Sequence, residues 1–236
     1  MDSKLDNQDS KLDNQDSHVE NDESATVVKD ANANTNSSDY EPLTAVYEHL
    51  RHSQNSQELH EFATRQLPDR SNQADFSRAT ALLEAVAGNA NTPEEDRIKL
   101  ASTMPFPNIL VKLSEDKSDE VRFAVAQNHN VKNWLVGRLT KDTCAKVRDA
   151  ALCNPKASWK MRLEGAQTEG VSASTLDYLA SLGVSSQEDA PVVLAAMVRR
   201  AVALNPGVSQ KTLLGLCNDK AIDVALAAKS RCKSKM

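Results

Sequence analysis

The sequence predicts an all-α protein, a short α-solenoid of helical repeats preceded by a disordered acidic tail. Three observations predict it. A phrase recurs as VRFAVAQNH from Val121, VRDAALCNP from Val147 and VRRAVALNP from Val198. Aromatic residues make up only 4% and glycine numbers 7 of 236, too few for turn-rich sandwiches or barrels. Residues 1–39 are polar and acidic throughout, with too little apolar surface to offset their ordering entropy.

The tail opens on a tandem heptapeptide, DSKLDNQ from Asp2 and again from Asp9, followed by DSHVEND from Asp16. A coiled coil needs two apolar positions per heptad, and here only Leu5, Leu12 and Val19 recur. Disorder is therefore expected for 1–39. Charge divides the same way. Residues 1–75 carry 6 basic and 16 acidic side chains, the remainder 22 and 17, so an acidic arm precedes a mildly basic body.

Helical periodicity begins near residue 40, where Leu43, Val46, Tyr47 and Leu50 form one apolar stripe. ELHEFATRQL and DFSRATALLEAVAGN read alike, and Gly88 and Asn89 suit a left-handed helix end. These segments form an N-terminal cap over 40–92, leaving 93–236 as the repeat domain. Thr92, Pro93 and Glu95 read as a capping box opening the next helix.

Within the repeat, Val121, Ala124, Val125 and Asn128 stand at i, i+3, i+4 and i+7. Val147, Ala150, Ala151 and Asn154 match them, as do Val198, Ala201, Val202 and Asn205. Alanine permits close helix approach, and the asparagine is expected in the left-handed conformation that stops the helix. Pro155 and Pro206 forbid continuation. Ser158 and Ser209 then cap a second short helix. The copies are 26 and then 51 residues apart, so the second interval holds nearly two units, and the one between Trp159 and Pro191 is worn by a bend or insertion. A fading copy follows at Leu216, Asp219 and Val224, with Ala225 in the arginine's place.

At these residues the chain resembles the variant leucine-rich repeat family, and the Asp-x4-Val-Arg phrase also resembles HEAT repeats. The resemblance implies a right-handed superhelix alternating α with 3₁₀ helices, with α/α pairs as the HEAT-like form. The iron–sulfur cluster known in the first family is not implied, because no cysteine precedes Cys144.

Arg122, Arg148 and Arg199 share one place in the unit and would form a ladder. Two readings compete. In one, Arg122 pairs with Asp116 and Arg148 with Asp142, each Asp six residues earlier, capping its own helix. In the other, the ladder is a basic stripe for phosphates or an acidic partner, extended by Lys132, Arg138, Lys156, Lys160 and Arg162. Trp134 and Trp159 are expected to pack under the corner, with stacking on a partner as the functional alternative. His49, His52 and His60 read as solvent-exposed.

The four cysteines (Cys144, Cys153, Cys217, Cys232) show no CxxC spacing, and no nucleotide, hydrolase or HExxH motif occurs. No metal or cofactor is expected, and no catalytic residue. The start lacks signal-peptide character and no window is apolar enough to span a membrane, so cytoplasmic residence is the expectation. Function is expected to be non-enzymatic binding of a protein or peptide. Nucleic-acid binding on a basic concave face, in the manner of HEAT-like DNA-repair glycosylases, is the alternative. The oligomeric state is not encoded in any pattern above.

Overall fold

The structure is a computed structural model and describes residues 41–233. The acidic tail of 1–39 lies outside the described residues. Among the described residues every regular element is helical. The order is α1 (Leu43–His52), α2 (Ser56–Thr64), α3 (Gln73–Ala87), α4 (Glu94–Thr103), α5 (Pro107–Leu113), α6 (Asp119–Gln127), α7 (Asn133–Leu139), α8 (Ala145–Cys153), α9 (Trp159–Gln167), α10 (Ala173–Ser181), α11 (Val192–Leu204), α12 (Gln210–Leu216) and α13 (Ile222–Lys233).

Packing is local along the chain. Each helix makes its main contacts with the next helix or the next but one, which is the arrangement of a solenoid. Helices α4, α6 and α8 stack as one layer, with α5 and α7 as the short second helices; α9, α11 and α13 stack likewise, with α10 and α12. The second helices are α-helical rather than 3₁₀, so the α/α form of the unit is realised.

The start signals behave as their chemistry requires, with one exception. Ser118, Ser158, Ser172 and Ser209 each accept a hydrogen bond from the backbone N–H three residues on. Thr92 does not cap α4. Its hydroxyl donates to the Val86 carbonyl at 2.6 Å, while Glu94, Glu95 and Asp96 supply negative charge to the first turn.

The helix ends differ from the left-handed expectation. Asn128, Asn154 and Asn205 have φ of −69°, −66° and −68° with extended ψ, and Gly88 is right-handed at φ −85°. These asparagines stop their helices with the side chain instead. Each amide donates to two carbonyls at the end of an earlier helix: Asn128 to Ala101 and Met104, Asn154 to Ala126 and Asn128, Asn205 to Ala166 and Thr168. Each carboxamide oxygen accepts the N–H two residues on. Asn89 does the same to Leu50 and Ser53. All four are buried, so the ladder satisfies carbonyls that would otherwise be orphaned in the core.

The apolar core falls into two clusters. The first runs from Leu50 to Ala157, so α1–α3 share it with α4–α8 and it does not divide at residue 92. The second runs from Ala166 to Ala228. The break lies at α9, which follows Asn154 where a short second helix is due but packs on α11 as a first helix does. Setting Thr168 on Asn128 places Arg162 on Arg122 and Ala166 on Ala126. Met161 then corresponds to Val121, 14 residues after Val147 and 37 before Val198. The 51-residue interval is thus one unit lacking its second helix and one lengthened by a loop over residues 182–191.

Two glycines make this seam. A Cβ on Gly165 would stand 2.5 Å from Leu152 Cδ2, so α9 approaches α8 only because the side chain is absent. Gly183, at φ +72°, turns the chain into the inserted loop. Within that loop Gln187 takes φ +48°, an uncommon conformation for a residue with a Cβ.

Candidate functional site

The repeat arginines pair across units, not within them. Arg122 Nε and Nη2 reach Asp142 Oδ2 and Oδ1 at 2.8 and 3.0 Å, while its Nη1 donates to the backbone carbonyls of Asp116 and Lys117. Asp116 instead receives Arg97, a rung that lacks the VRxA phrase and was not read from the sequence. Arg199 holds Asp219 at 2.7 and 3.0 Å. The aspartates do not cap their helices as expected, since Ser118 and Cys144 stand at the N-caps of α6 and α8; each instead braces the corner before its helix by accepting the N–H two residues on, from Ser118, Cys144 and Ala221. The expected pairs Arg122–Asp116 and Arg148–Asp142 are corrected accordingly: each aspartate's carboxylate faces the arginine of the preceding unit.

These pairs are nearly enclosed, with side chains 14% and 9% exposed for Arg122 and Asp142, and 6% and 4% for Arg199 and Asp219. Burial opposes ionisation of Asp142 and Asp219. Hydrogen bonds from the guanidinium and a backbone N–H outweigh it and hold both carboxyls below the ordinary aspartate range.

Arg148 and Arg162 depart from the pattern. Arg148 donates to the Asp142 and Thr143 carbonyls. Its unit lacks the second helix whose corner would bring an aspartate. Arg162 is 1% exposed, and the position of its aspartate is taken by Leu182, three residues after Leu179 as Asp142 is after Leu139. The Gln187 carboxamide oxygen fills that place at 2.8 Å from Nη1, and the Asn154 carbonyl accepts from Nη2. Nε has no partner, and the guanidinium lies 4.8 Å from the Trp159 ring. Burial pulls the Arg162 pKa below the ordinary arginine value.

Of the other basic residues named from sequence, Arg138 pairs with Glu115 and Lys160 with Glu164; Lys132 and Lys156 are exposed. Trp159 is half-buried beneath Arg162. Trp134 is not packed under its corner as expected and is 55% exposed in the first turn of α7. His49, His52 and His60 are exposed, and His60 Nδ1 lies 2.7 Å from Asp96 Oδ2. No group of three or more metal-ligating side chains occurs among the described residues. No described helix is long and apolar enough to cross a membrane.

A different surface emerges on the second half. Val193, Met197, Arg200 and Leu204 lie at i, i+4, i+7 and i+11 on α11, and all four are exposed. Met197, Arg200 and Leu204 line a groove of about 280 Å³ with Leu163 and Gln167 of α9 and with Glu169. In α6 the positions of Met197 and Leu204 are Glu120 and Gln127. There the intervening Phe123 is covered by Lys146, whose ammonium lies 4.2 Å from the ring and binds Glu120. The stripe is sealed on α6 and open on α11. Sequence reasoning missed it because the apolar run VVLAAMVRRAVAL reads as core on every face; only alignment with α6 separates Met197 and Leu204 from the buried Val198 and Val202.

No family model matches the chain, and neither curated proteins nor solved structures yield a match. The class defined by the fold is an all-α helical-repeat solenoid.

Proposed function

We propose that the chain is a non-enzymatic scaffold that takes a protein or peptide segment on the α9–α11 face. One observation carries the reading: Met197 and Leu204 are 46% and 44% exposed where the equivalent positions of α6 are polar. Exposed apolar side chains gathered on one stripe beside a groove are the surface a partner's apolar side chains would cover. Arg200 within the stripe adds a charged contact that orients the segment. Of the arginine ladder on which the nucleic-acid alternative rests, Arg122 and Arg199 are engaged by aspartates, which favours the protein or peptide reading over it.

Photocrosslinking tests this. A photoreactive residue at position 197 should join a protein or peptide in the native cell extract, one at position 127 should not, and Leu204→Glu should remove the product. Equal crosslinking from both positions, an electrophoretic shift with DNA or RNA at low salt, or turnover of a small substrate would each count against the proposal.

A further inference from the structure

Cys217 closes the end of α12 and Cys232 lies in the last turn of α13, with their sulfurs 3.5 Å apart. Both are free thiols and both are only partly buried. The other two cysteines are differently placed: the Cys144 sulfur faces Asp119 Oδ2 and the Cys153 sulfur faces Thr175 Oγ1. Cys232 lines a shallow concavity with Leu226, Lys229, Ser230 and Lys233, so an oxidant reaches it there.

The geometry points to an oxidative modification site: Cys217 and Cys232 form an intramolecular disulfide that fastens α13, the last of the described helices, to α12. A hydroperoxide is the oxidant. The Cys232 thiolate attacks one peroxide oxygen; an S–O bond forms, the O–O bond breaks, and the departing hydroxide takes a proton to leave as water. The Cys217 thiolate then attacks the sulfenic sulfur; the S–S bond forms, the S–O bond breaks, and a second water leaves. Two thiols lose two electrons and two protons, and hydrogen peroxide is reduced to two waters. Burial and the neighbouring Cys232 thiol hold the Cys217 pKa above its ordinary value, which leaves less of it as thiolate for the second step.

The site sits where a clamp has something to hold. Ile222 and Leu226 of α13 are 75% and 60% exposed, so this edge helix is anchored chiefly by Val224 and Ala228 on its inner face. Cross-linking its far end to the α12 corner restrains fraying of the array from this side.

The test treats the full-length protein with one to two equivalents of hydrogen peroxide. Titratable thiols should fall from the four present to two, the intact mass should drop by two hydrogens, and the product should remain monomeric and revert with a phosphine reductant. Peptide mapping should join Cys217 to Cys232, and amide exchange in α13 should slow several-fold. Cys232→Ser should keep its remaining thiols under the same dose. If that variant folds poorly, the wild-type map decides. Stable oxygen adducts without a joined peptide, pairing through Cys144 or Cys153, disulfide-linked dimers, or unchanged α13 exchange would overturn the inference.

Discussion

Arg122 and Asp142 meet across a repeat boundary, with Nε 2.8 Å from Oδ2 and Nη2 3.0 Å from Oδ1, so each guanidinium fixes the corner of the following unit. Breaking one partner of a nearly enclosed pair strands the other charge, at a cost of about 3–5 kcal/mol. Asp142→Ala is therefore expected to lower stability by that order in urea denaturation. A double-mutant cycle should give strong coupling between positions 122 and 142 and little between 122 and the side chain of Asp116. The opposite ranking would restore pairing within the unit.

The same pairs set the acid limit of the fold. Asp142 and Asp219 titrate below their unfolded value of about 3.9, so their stabilisation is fully present above that pH and is lost as pH falls through the folded values. Thermal denaturation should show stability dropping steeply below about pH 4. Asp219→Asn should be destabilised at neutral pH and show a shallower slope on this acid limb. A slope equal to that of the wild type would remove these pairs from the acid response.

The repeat was legible because its signals are local. Val121, Ala124 and Val125 lie on one helix face, and Ser158 and Ser209 act within three residues of themselves. The register of the ion pairs was not, because Asp116, six residues before Arg122, looks like its partner in one dimension. In three dimensions the stack brings Asp142, twenty residues on, to the same guanidinium. The unit around Arg162 was hidden for a related reason: its aspartate is Leu182, its valine is Met161 and its asparagine is Thr168, so only the carbonyls that receive Asn205 identify it. The α11 stripe was concealed by a helix whose buried and exposed faces are both apolar.

The asparagine ladder distinguishes a side-chain mechanism from a backbone one. Asn205 donates to Ala166 and Thr168 at 2.8 and 2.9 Å from a backbone with φ −68°. Asn205→Ala orphans two carbonyls and should cost about 2–3 kcal/mol. Asn205→Gly would preserve stability if a left-handed backbone were what ended α11. It should instead be at least as damaging as alanine, because the amide is what is lost, and Asn205→Asp should be worse, since a carboxylate cannot donate. Chemical denaturation of the three variants ranks them directly.

Gln187 offers a gain of stability at the seam. Its carboxamide oxygen stands 2.8 Å from Arg162 Nη1, in place of the carboxylate that Arg97, Arg122 and Arg199 each possess. Gln187→Glu keeps the shape and supplies the missing negative charge to a guanidinium that is 1% exposed, and the Tyr178 hydroxyl can donate to the new carboxylate where it now accepts from Gln187. A charge-assisted bond replacing a neutral acceptor is expected to add about 1–2 kcal/mol at pH 7. For a chain of this size that raises Tm by roughly 2–8 °C. The new carboxyl would titrate below its unfolded value of about 4.3, so the gain should be nearly complete well above that pH and mostly lost by about pH 3. Calorimetry of both proteins at pH 7 and pH 3 checks both halves of the expectation. A lower Tm for the variant at pH 7 would mean that the buried arginine is already satisfied by the amide and the Trp159 ring, and that the loop over residues 182–191 is not a substitute for the absent aspartate.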